Sequence, residues 1–389
     1  MKKVLHFSNK PAFPLRDGGC IAISSILKSL LKEPSYAVYH FTISTAKHPF
    51  YRDYYPQSWQ DKMTIDHCHI STKTNLFGAL YHLLKNESYN LIRFKDKKLK
   101  QKLSELLSQE KFDVIILESI YTLPYLKLFK ATGAKIILRA HNVEHEIWEQ
   151  LAEQTSFVKK WYFDRLAKQL KKFEIDELKQ LDAIIAITED DAKFFQQFEP
   201  KVKVTAISTA VKTDYPKADY NLDDFYFLGA MDWKPNKEGI EWLLKKVIPE
   251  GLKGFNFHIG GKSLKKNEIE HPSVICHGEI ENAKEFIEDH GICIIPMHSG
   301  SGLKIKLLEN MAMGKPIVST TEGIRGVDVQ HEKEVLVTDD PEEFRNYMYK
   351  LALDLKLREK IGRNAKKYVE LNFGEKKVSR RLISFINGA

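Results

Sequence analysis

The sequence predicts an α/β protein made of two doubly wound parallel-sheet domains in tandem, facing a cleft. Three observations predict it. Its 389 residues suit two domains of roughly 100–200 residues. Short, nearly continuous apolar runs rich in β-branched residues alternate with helix-like stretches, as buried parallel strands alternate with crossover helices. The pattern restarts after a polar stretch, residues 212–224, which holds Pro216 and several acids.

In the first set, strands are expected at 3–8, 37–43, 63–70, 113–118, 135–141, 183–188 and 202–207. Helices are expected from the first loop through residue 31, then at 93–110, 120–130 and 144–180. In 93–110, Leu99, Leu103, Leu106 and Leu107 share one side of an otherwise basic helix, the mark of a surface helix packed on a sheet. Its lysines could also meet anionic lipid headgroups. In the second set, strands are expected at 225–229, 255–260, 273–277, 291–296, 316–320 and 334–338. Helices are expected at 237–248, 282–288, 303–313, 340–352, 355–370 and 375–387. In such open sheets ligands bind beyond the carboxyl ends of the strands, so motifs at strand ends carry the functional reading.

Composition narrows the classes. Hydrophobic residues make up 43% and charged residues 29%, ordinary for a folded soluble protein. Four dispersed cysteines (Cys20, Cys68, Cys276, Cys293) exclude a disulfide scaffold and a Cys-x-x-Cys metal site. The apolar stretch after the opening lysines is too short for a signal peptide, and no run suits a membrane span; a cytoplasmic protein is expected. The net charge of +8 is uneven. Residues 1–140 carry 22 Lys and Arg against 11 Asp and Glu; the rest carries 38 against 41. A basic first third fits an anionic partner or a plain solvated face. No aromatic–basic motif points to nucleic acid.

Three motifs sit at expected strand ends. Arg16-Asp17-Gly18-Gly19 precedes a helix, where free N–H groups can meet an anion; it is not a dinucleotide fingerprint, and a plain turn explains it equally well. Arg139-Ala140-His141-Asn142-Val143-Glu144 places His141 at a strand end, where an imidazole can bond a substrate hydroxyl. Asn142 is a candidate helix cap there. The third and richest runs from Pro296 to Pro316: strand, glycine–serine loop (His298, Ser299, Gly300, Ser301, Gly302, Leu303), helix with Lys304 and Lys306 at its start and Glu309 further along, and a glycine stop at Gly314. Cations at a helix N-terminus oppose its dipole and make sense beside a bound phosphate. A carboxylate at Glu309 can accept two hydrogen bonds from a ribose diol. The bland alternative is an amphipathic helix with one exposed acid. Asp66-His67-Cys68-His69 alternates as an edge strand does and is not read as a metal site.

Glu309-Asn310-Met311-Ala312-Met313-Gly314-Lys315-Pro316-Ile317-Val318 resembles the donor-site run of glycosyltransferase family 4, retaining enzymes of the GT-B fold. The Arg139–Glu144 segment is similar to that family's cleft-histidine segment, and Phe227–Asn236 resembles a variant of its first C-terminal strand and loop. The tail 367–389 resembles helices that cross back to the first domain. The resemblance implies domains at 1–208 and 209–371, with 372–389 crossing back. Two departures stand out: Ser301 takes the place of the family's first glutamate, and Gly229-Ala230-Met231-Asp232-Trp233-Lys234-Pro235-Asn236 lacks its loop arginine. Both recur in a subgroup with a Gly-Ser-Gly-x-Lys-x-Lys-x-x-Glu run.

The expectation is therefore a retaining transferase moving a sugar from a UDP- or GDP-sugar to a glycan or lipid-linked acceptor in cell-surface polysaccharide synthesis. The alternative is a catalytically silent, nucleotide-sugar-binding partner of an active transferase. The expected catalytic residues are His141, Ser301 and Gly302. Donor contacts are expected from Gly18, Gly19, Asn236, Gly261, Lys262, His277, Gly278, Ile280, His298, Ser299, Gly300, Leu303, Lys304, Lys306 and Glu309. With no Asp-x-Asp in the chain, lysines and helix N-termini would neutralise the diphosphate, and neither metal nor cofactor is expected. The basic first third would face lipid-linked acceptors or the anionic inner face of the membrane.

Overall fold

A computed structural model describes residues 1–388 except 74, 76, 79, 80, 83, 84, 86, 154, 156, 199, 200 and 301. Ser301, expected above as a catalytic residue, lies outside the described residues. The chain divides into two compact units, Met1–Ala210 with Val378–Ala389, and Val211–Lys377.

Unit 1 is built on seven parallel strands: β1 (Lys2–Ser8), β2 (Tyr36–Ser44), β3 (Met63–His69), β4 (Val114–Glu118), β5 (Lys135–Ala140), β6 (Ala183–Ala186) and β7 (Lys203–Ala206). Their order is β3-β2-β1-β4-β5-β6-β7. The order reverses between β1 and β4, which makes their carboxyl ends the switch point where such sheets open a crevice. The sheet faces are covered by helices α1 (Gly18–Leu30), α2 (Lys97–Gln109), α3 (Glu144–Glu153), α4 (Phe157–Leu178) and α5 (Glu189–Phe198). One face buries Phe7, Phe41, Leu117 and Phe129, the other Val4, Ile23, Ile116 and Ile185.

Several boundaries differ from the sequence reading for local reasons. Helix α2 starts at Lys97, not 93, because Asp96 caps it by accepting the Leu99 N–H. The 120–130 segment opens as a 3₁₀ turn carrying Pro124 before the short helix Leu126–Lys130. The expected 144–180 helix is two helices, α3 and α4. Leu99, Leu103 and Leu106 of α2 are spent on the core, which leaves its polar side, with Lys98 and Lys100 exposed, for any outside partner. The 66–69 segment lies in edge strand β3.

Unit 2 repeats the plan with six parallel strands: β8 (Phe225–Leu228), β9 (Phe257–Gly260), β10 (Val274–Gly278), β11 (Ile292–Ile295), β12 (Ile317–Ser319) and β13 (Leu336–Val337), in the order β10-β9-β8-β11-β12-β13. Its switch point lies between β8 and β11. The helices are α6 (Lys234–Trp242), which runs on through one wide turn at Leu243–Val247, then α7 (Ala283–Glu288), α8 (Ile305–Ala312), α9 (Pro341–Leu353) and α10 (Leu355–Asn372). The last helix, α11 (Glu375–Gly388), packs from Val378 onward on unit 1. There Val378, Leu382 and Ile386 join the cluster of Val4, Ile23 and Ile185, a burial contributing roughly 5–8 kcal/mol at the usual value per apolar side chain. Ser379 and Asn387 pin the helix to Ser29 and Lys2 at 2.9 Å each. No described helix is long and apolar enough to cross a membrane.

Candidate functional site

In unit 1 the switch point gathers a chain of buried polar groups. Parallel register sets Ser8 beside Glu118, His6 beside His40, and Glu118 beside Arg139. Glu118 is fully buried. One of its oxygens meets His6 Nε2 at 3.0 Å; the other accepts from Arg139 Nη1 at 3.1 Å and meets His141 Nε2 at 2.5 Å. The chain continues from His6 Nδ1 to His40 Nδ1 (3.0 Å) and from His40 Nε2 to the Tyr55 hydroxyl (3.2 Å). Burial alone would raise the Glu118 carboxyl, but Arg139 and the two imidazoles hold it well below the carboxylate range. Immediately after it, Ser119 has a φ of 74°, a left-handed conformation costing on the order of 1–2 kcal/mol outside glycine.

His141 stands just past β5 and is partly exposed. Burial lowers its pKa despite Glu118, so its ring is neutral at pH 7. An ionised Glu118 takes the proton side of Nε2, which leaves Nδ1 as a lone pair. The helix after it is capped differently from expectation. Glu174 of α4, not Asn142, accepts the first N–H groups of α3, from Glu144 at 3.0 Å and His145 at 3.1 Å. A buried carboxylate across the fold supplies a fuller cap than a neighbouring amide. Glu144 accepts from the Tyr121 hydroxyl at 2.7 Å, and burial raises its carboxyl to about 7.

The Gly18–Gly19 segment opens α1. Asp17 caps it through the Cys20 N–H at 2.9 Å and holds Lys10 Nζ at 2.6 Å. A Cβ on Gly19 would lie 2.4 Å from that ammonium, so a larger residue there would push the end of the lysine aside. The arrangement puts a cation, paired to the capping carboxylate, beside the start of α1.

In unit 2 several of the residues singled out from the sequence follow the carboxyl ends of β8, β9 and β11. Gly261, at φ 148°, lies so close to Gly229 that a Cβ would stand 1.9 Å from that residue's carbonyl oxygen. Lys306 in the first turn of α8 donates to Asn236 Oδ1 at 2.7 Å and lies 4.4 Å from the centre of the Phe227 ring. Burial lowers its pKa to about 8. Asn236 in turn donates to the Ala230 carbonyl at 2.8 Å, which fixes the lysine's partner in place.

Lys304 behaves otherwise. It precedes the first turn of α8, and its ammonium donates to the Gly300 carbonyl at 2.6 Å, the Gly302 carbonyl at 3.1 Å and Glu322 at 3.1 Å. It therefore knits the glycine loop into one shape. Ser299 donates to Glu238 at 3.1 Å, His298 sits edge-on to Trp242, and Leu303 packs on the core.

Glu309 is half-buried on α8. Burial raises its carboxyl, with Lys306 opposing, and among the described residues no group donates a hydrogen bond to its carboxylate. Neighbouring Asn310 is fully employed by the Tyr226 hydroxyl and the Lys306 carbonyl. Lys262 is exposed, 3.8 Å from Asp232. Ile280 covers Gly260, and the Gly278 carbonyl accepts the Gly261 N–H at 2.9 Å. The His277 ring turns to His258 at 2.9 Å. Sequence reasoning missed Glu118, His6, His40 and Glu322. The one local signal was a glutamate closing the apolar run Val114–Glu118.

Comparison with known proteins fits this layout. Residues 223–354 match the family described as Glycosyl transferases group 1. An uncharacterized 44.6 kDa protein in the cps region of Klebsiella pneumoniae is 25% identical over 301 residues, 72% of this chain and 76% of that protein. An uncharacterized glycosyltransferase of Methanocaldococcus jannaschii is 34% identical over 101 residues, 25% of this chain and 26% of that protein. Among solved structures, a sucrose-phosphate synthase from Thermosynechococcus elongatus superposes with a TM-score of 0.71 at 12% identity, over 100% of this chain and 99% of that one. Anabaena HepE in complex with UDP-glucose gives 0.64 at 13% identity over 100% of both chains. The fold of the chain is GT-B.

Proposed function

We propose that the chain is a retaining glycosyltransferase that takes a sugar from a nucleotide-diphosphate sugar and passes it to a glycan or lipid-linked acceptor. One observation carries the reading. Glu309 is a half-buried carboxylate to which no described residue donates a hydrogen bond, on the helix that follows the glycine loop. Keeping such a group unpaired is costly, and a ribose diol would satisfy it with two hydrogen bonds. Lys306 then neutralises the diphosphate together with the loop N–H groups, while Lys304 keeps that loop in shape. The match over 223–354 to group 1 transferases supports the assignment of the donor to unit 2. The UDP and UDP-glucose complexes of HepE favour a uridine donor. The Klebsiella relative in a cps region and the basic first third favour a cell-surface glycan pathway, with the protein working beside an anionic membrane face.

In this reading the acceptor oxygen bonds to the anomeric carbon on the face from which the diphosphate oxygen departs, and the acceptor proton passes to that departing oxygen. No side-chain nucleophile is needed. Unit 1 holds the acceptor, and Glu118 orients His141 so that Nδ1 can bond a substrate hydroxyl. The test is calorimetric. Wild type should bind UDP more tightly than 2′-deoxy-UDP, and Glu309→Ala should weaken UDP by roughly tenfold to a hundredfold while erasing that preference. Equal affinity of wild type and variant for every nucleotide diphosphate tried, guanosine included, would sink the assignment.

A further inference from the structure

Unit 2 also brings together three histidines that the proposed transfer does not use; one of them is His277, expected from the sequence as a donor contact, whose ring turns into this group instead. His258 lies in β9, His277 in the irregular part of edge strand β10, and His290 just before β11. They are 13 to 32 residues apart in sequence and meet on the sheet face covered by α7. Each offers one ring nitrogen to a group whose members all lie within 4.8 Å of one another. His258 Nδ1 and His277 Nε2 are 2.9 Å apart. The edge of a tetrahedron of nitrogens around zinc is about 3.4 Å, given metal–nitrogen bonds of about 2.0–2.1 Å. Small side-chain adjustments therefore suffice to seat an ion.

The surroundings prepare the rings as ligands. His290 Nδ1 donates to the Phe286 carbonyl at 2.7 Å, which leaves Nε2 as its lone pair. His258, using Nδ1 toward the cluster, has Nε2 at 3.5 Å from Asp224 Oδ2. That is the carboxylate–imidazole arrangement that orients and strengthens metal-bound histidines. His290 Nε2 lies 3.9 Å from the same oxygen, and the other Asp224 oxygen is held by the Gly291 N–H at 2.9 Å. Lys315, the nearby cation, has its ammonium turned to the carbonyls of His290 and Glu288.

We infer that His258, His277 and His290, with Asp224 behind them, form a structural binding site for one zinc-like divalent transition-metal ion. The site lies on the sheet face under α7, apart from Glu309 and Lys306. It would clamp edge strand β10 and the α7–β11 turn to β9. The inference does not rest on the transferase reading, since a clamp of this kind serves any function of the unit. A three-imidazole set with an ionised carboxylate nearby suits zinc or cobalt(II) and not the oxygen-seeking magnesium or calcium.

The test uses the untagged full-length chain, stripped with a chelator and then titrated with zinc chloride in competition with a chromophoric chelator. About one zinc per chain should bind, with a rise in melting temperature. Cobalt(II) in its place should give the intense visible absorption of a four-coordinate site. His277→Gln, on the edge strand, should lower zinc affinity by roughly tenfold or more and remove the melting-temperature rise, with the far-UV spectrum unchanged. His290→Gln provides a second reading if the first variant folds poorly, and the cobalt spectrum of wild type needs no variant at all. Equal zinc affinity in wild type and folded variant overturns the site. So does cobalt absorption typical of six-coordinate solvent-exposed ions, or binding only at millimolar zinc, an adventitious ion only. A failed clamp leaves the Glu309 calorimetry untouched, so the two readings fail separately.

Discussion

Glu118 in unit 1 and Glu309 in unit 2 are the same side chain in opposite states. Glu118 is fully buried and takes up an arginine and two imidazoles; these hold its carboxyl well down against the effect of burial. Glu309 is half-buried, receives no hydrogen bond from the described residues, and has its carboxyl raised by burial. The difference separates two uses of a carboxylate. One is consumed in holding its own unit together and in aiming His141. The other is left open at a cost in stability, as a binding group must be.

Replacing each by glutamine tests that contrast. Glu118→Gln is the largest expected effect. It leaves Arg139 without a counter-charge, and breaking a buried pair this way costs about 3–5 kcal/mol, read by urea denaturation. The sign with pH follows from a depressed pKa. The stability that Glu118 contributes is present above the ordinary carboxylate range and is lost as pH falls through its lowered value. The variant should therefore lose stability at neutral pH and show a flatter acid limb. A Glu118→Gln protein as stable as wild type would mean that the network is ornamental.

Glu309→Gln should do the reverse. A raised folded pKa means that the carboxylate opposes folding once it ionises, so wild-type stability falls as pH rises through its titration. The variant should be as stable as wild type or more so at pH 7, yet bind nucleotide more weakly by roughly tenfold. A loss of stability with unchanged binding would put Glu309 in the same class as Glu118.

Smaller again is Lys306→Met. With its pKa lowered to about 8 by burial, the ammonium is charged below that value and is lost above it. Donor affinity should then fall as pH rises past about 8, and this fall should vanish in the variant along with a several-fold loss of diphosphate affinity, while the bare nucleoside is unaffected. Lys304→Met, which frees the glycine loop, should weaken donor binding yet keep the fall past pH 8, because Lys306 is intact.

An effect on stability alone, with no change in donor binding, is expected at Glu144. Its carboxyl, raised from 4.5 to about 7 by burial, makes the folded state lose stability between those pH values. Glu144→Gln should flatten that stretch of the stability curve. A curve identical to wild type would show that another group titrates there.

The alternation of strands and helices was legible because buried parallel strands read as bare apolar runs, and Glu309 and Lys306 were legible because one helix and its loop hold them close in sequence. The Glu118 network was not. His6, His40 and Glu118 belong to three strands, and only the parallel register places them side by side. Nor could the sequence assign Lys304. Its duty depends on carbonyls exposed by Gly300 and Gly302, both at positive φ, and on Glu322 in a 3₁₀ turn 18 positions later. Helix α3 found its cap in Glu174, 30 residues on, where a local rule pointed to Asn142.

The return of α11 to unit 1 has a consequence for the order of events during synthesis. Chains leave the ribosome N-terminus first, and domains ordinarily complete themselves in that order. Here the cluster of Val4, Ile23 and Ile185 is not closed until Val378, Leu382 and Ile386 have been made. Unit 2, continuous from Val211 to Lys377, has all of its residues in hand before that. The half that is translated first is thus the half that finishes last. Until then it presents an open apolar face to the cell, and a nascent chain stalled anywhere before residue 378 is the form that chaperones would be expected to hold.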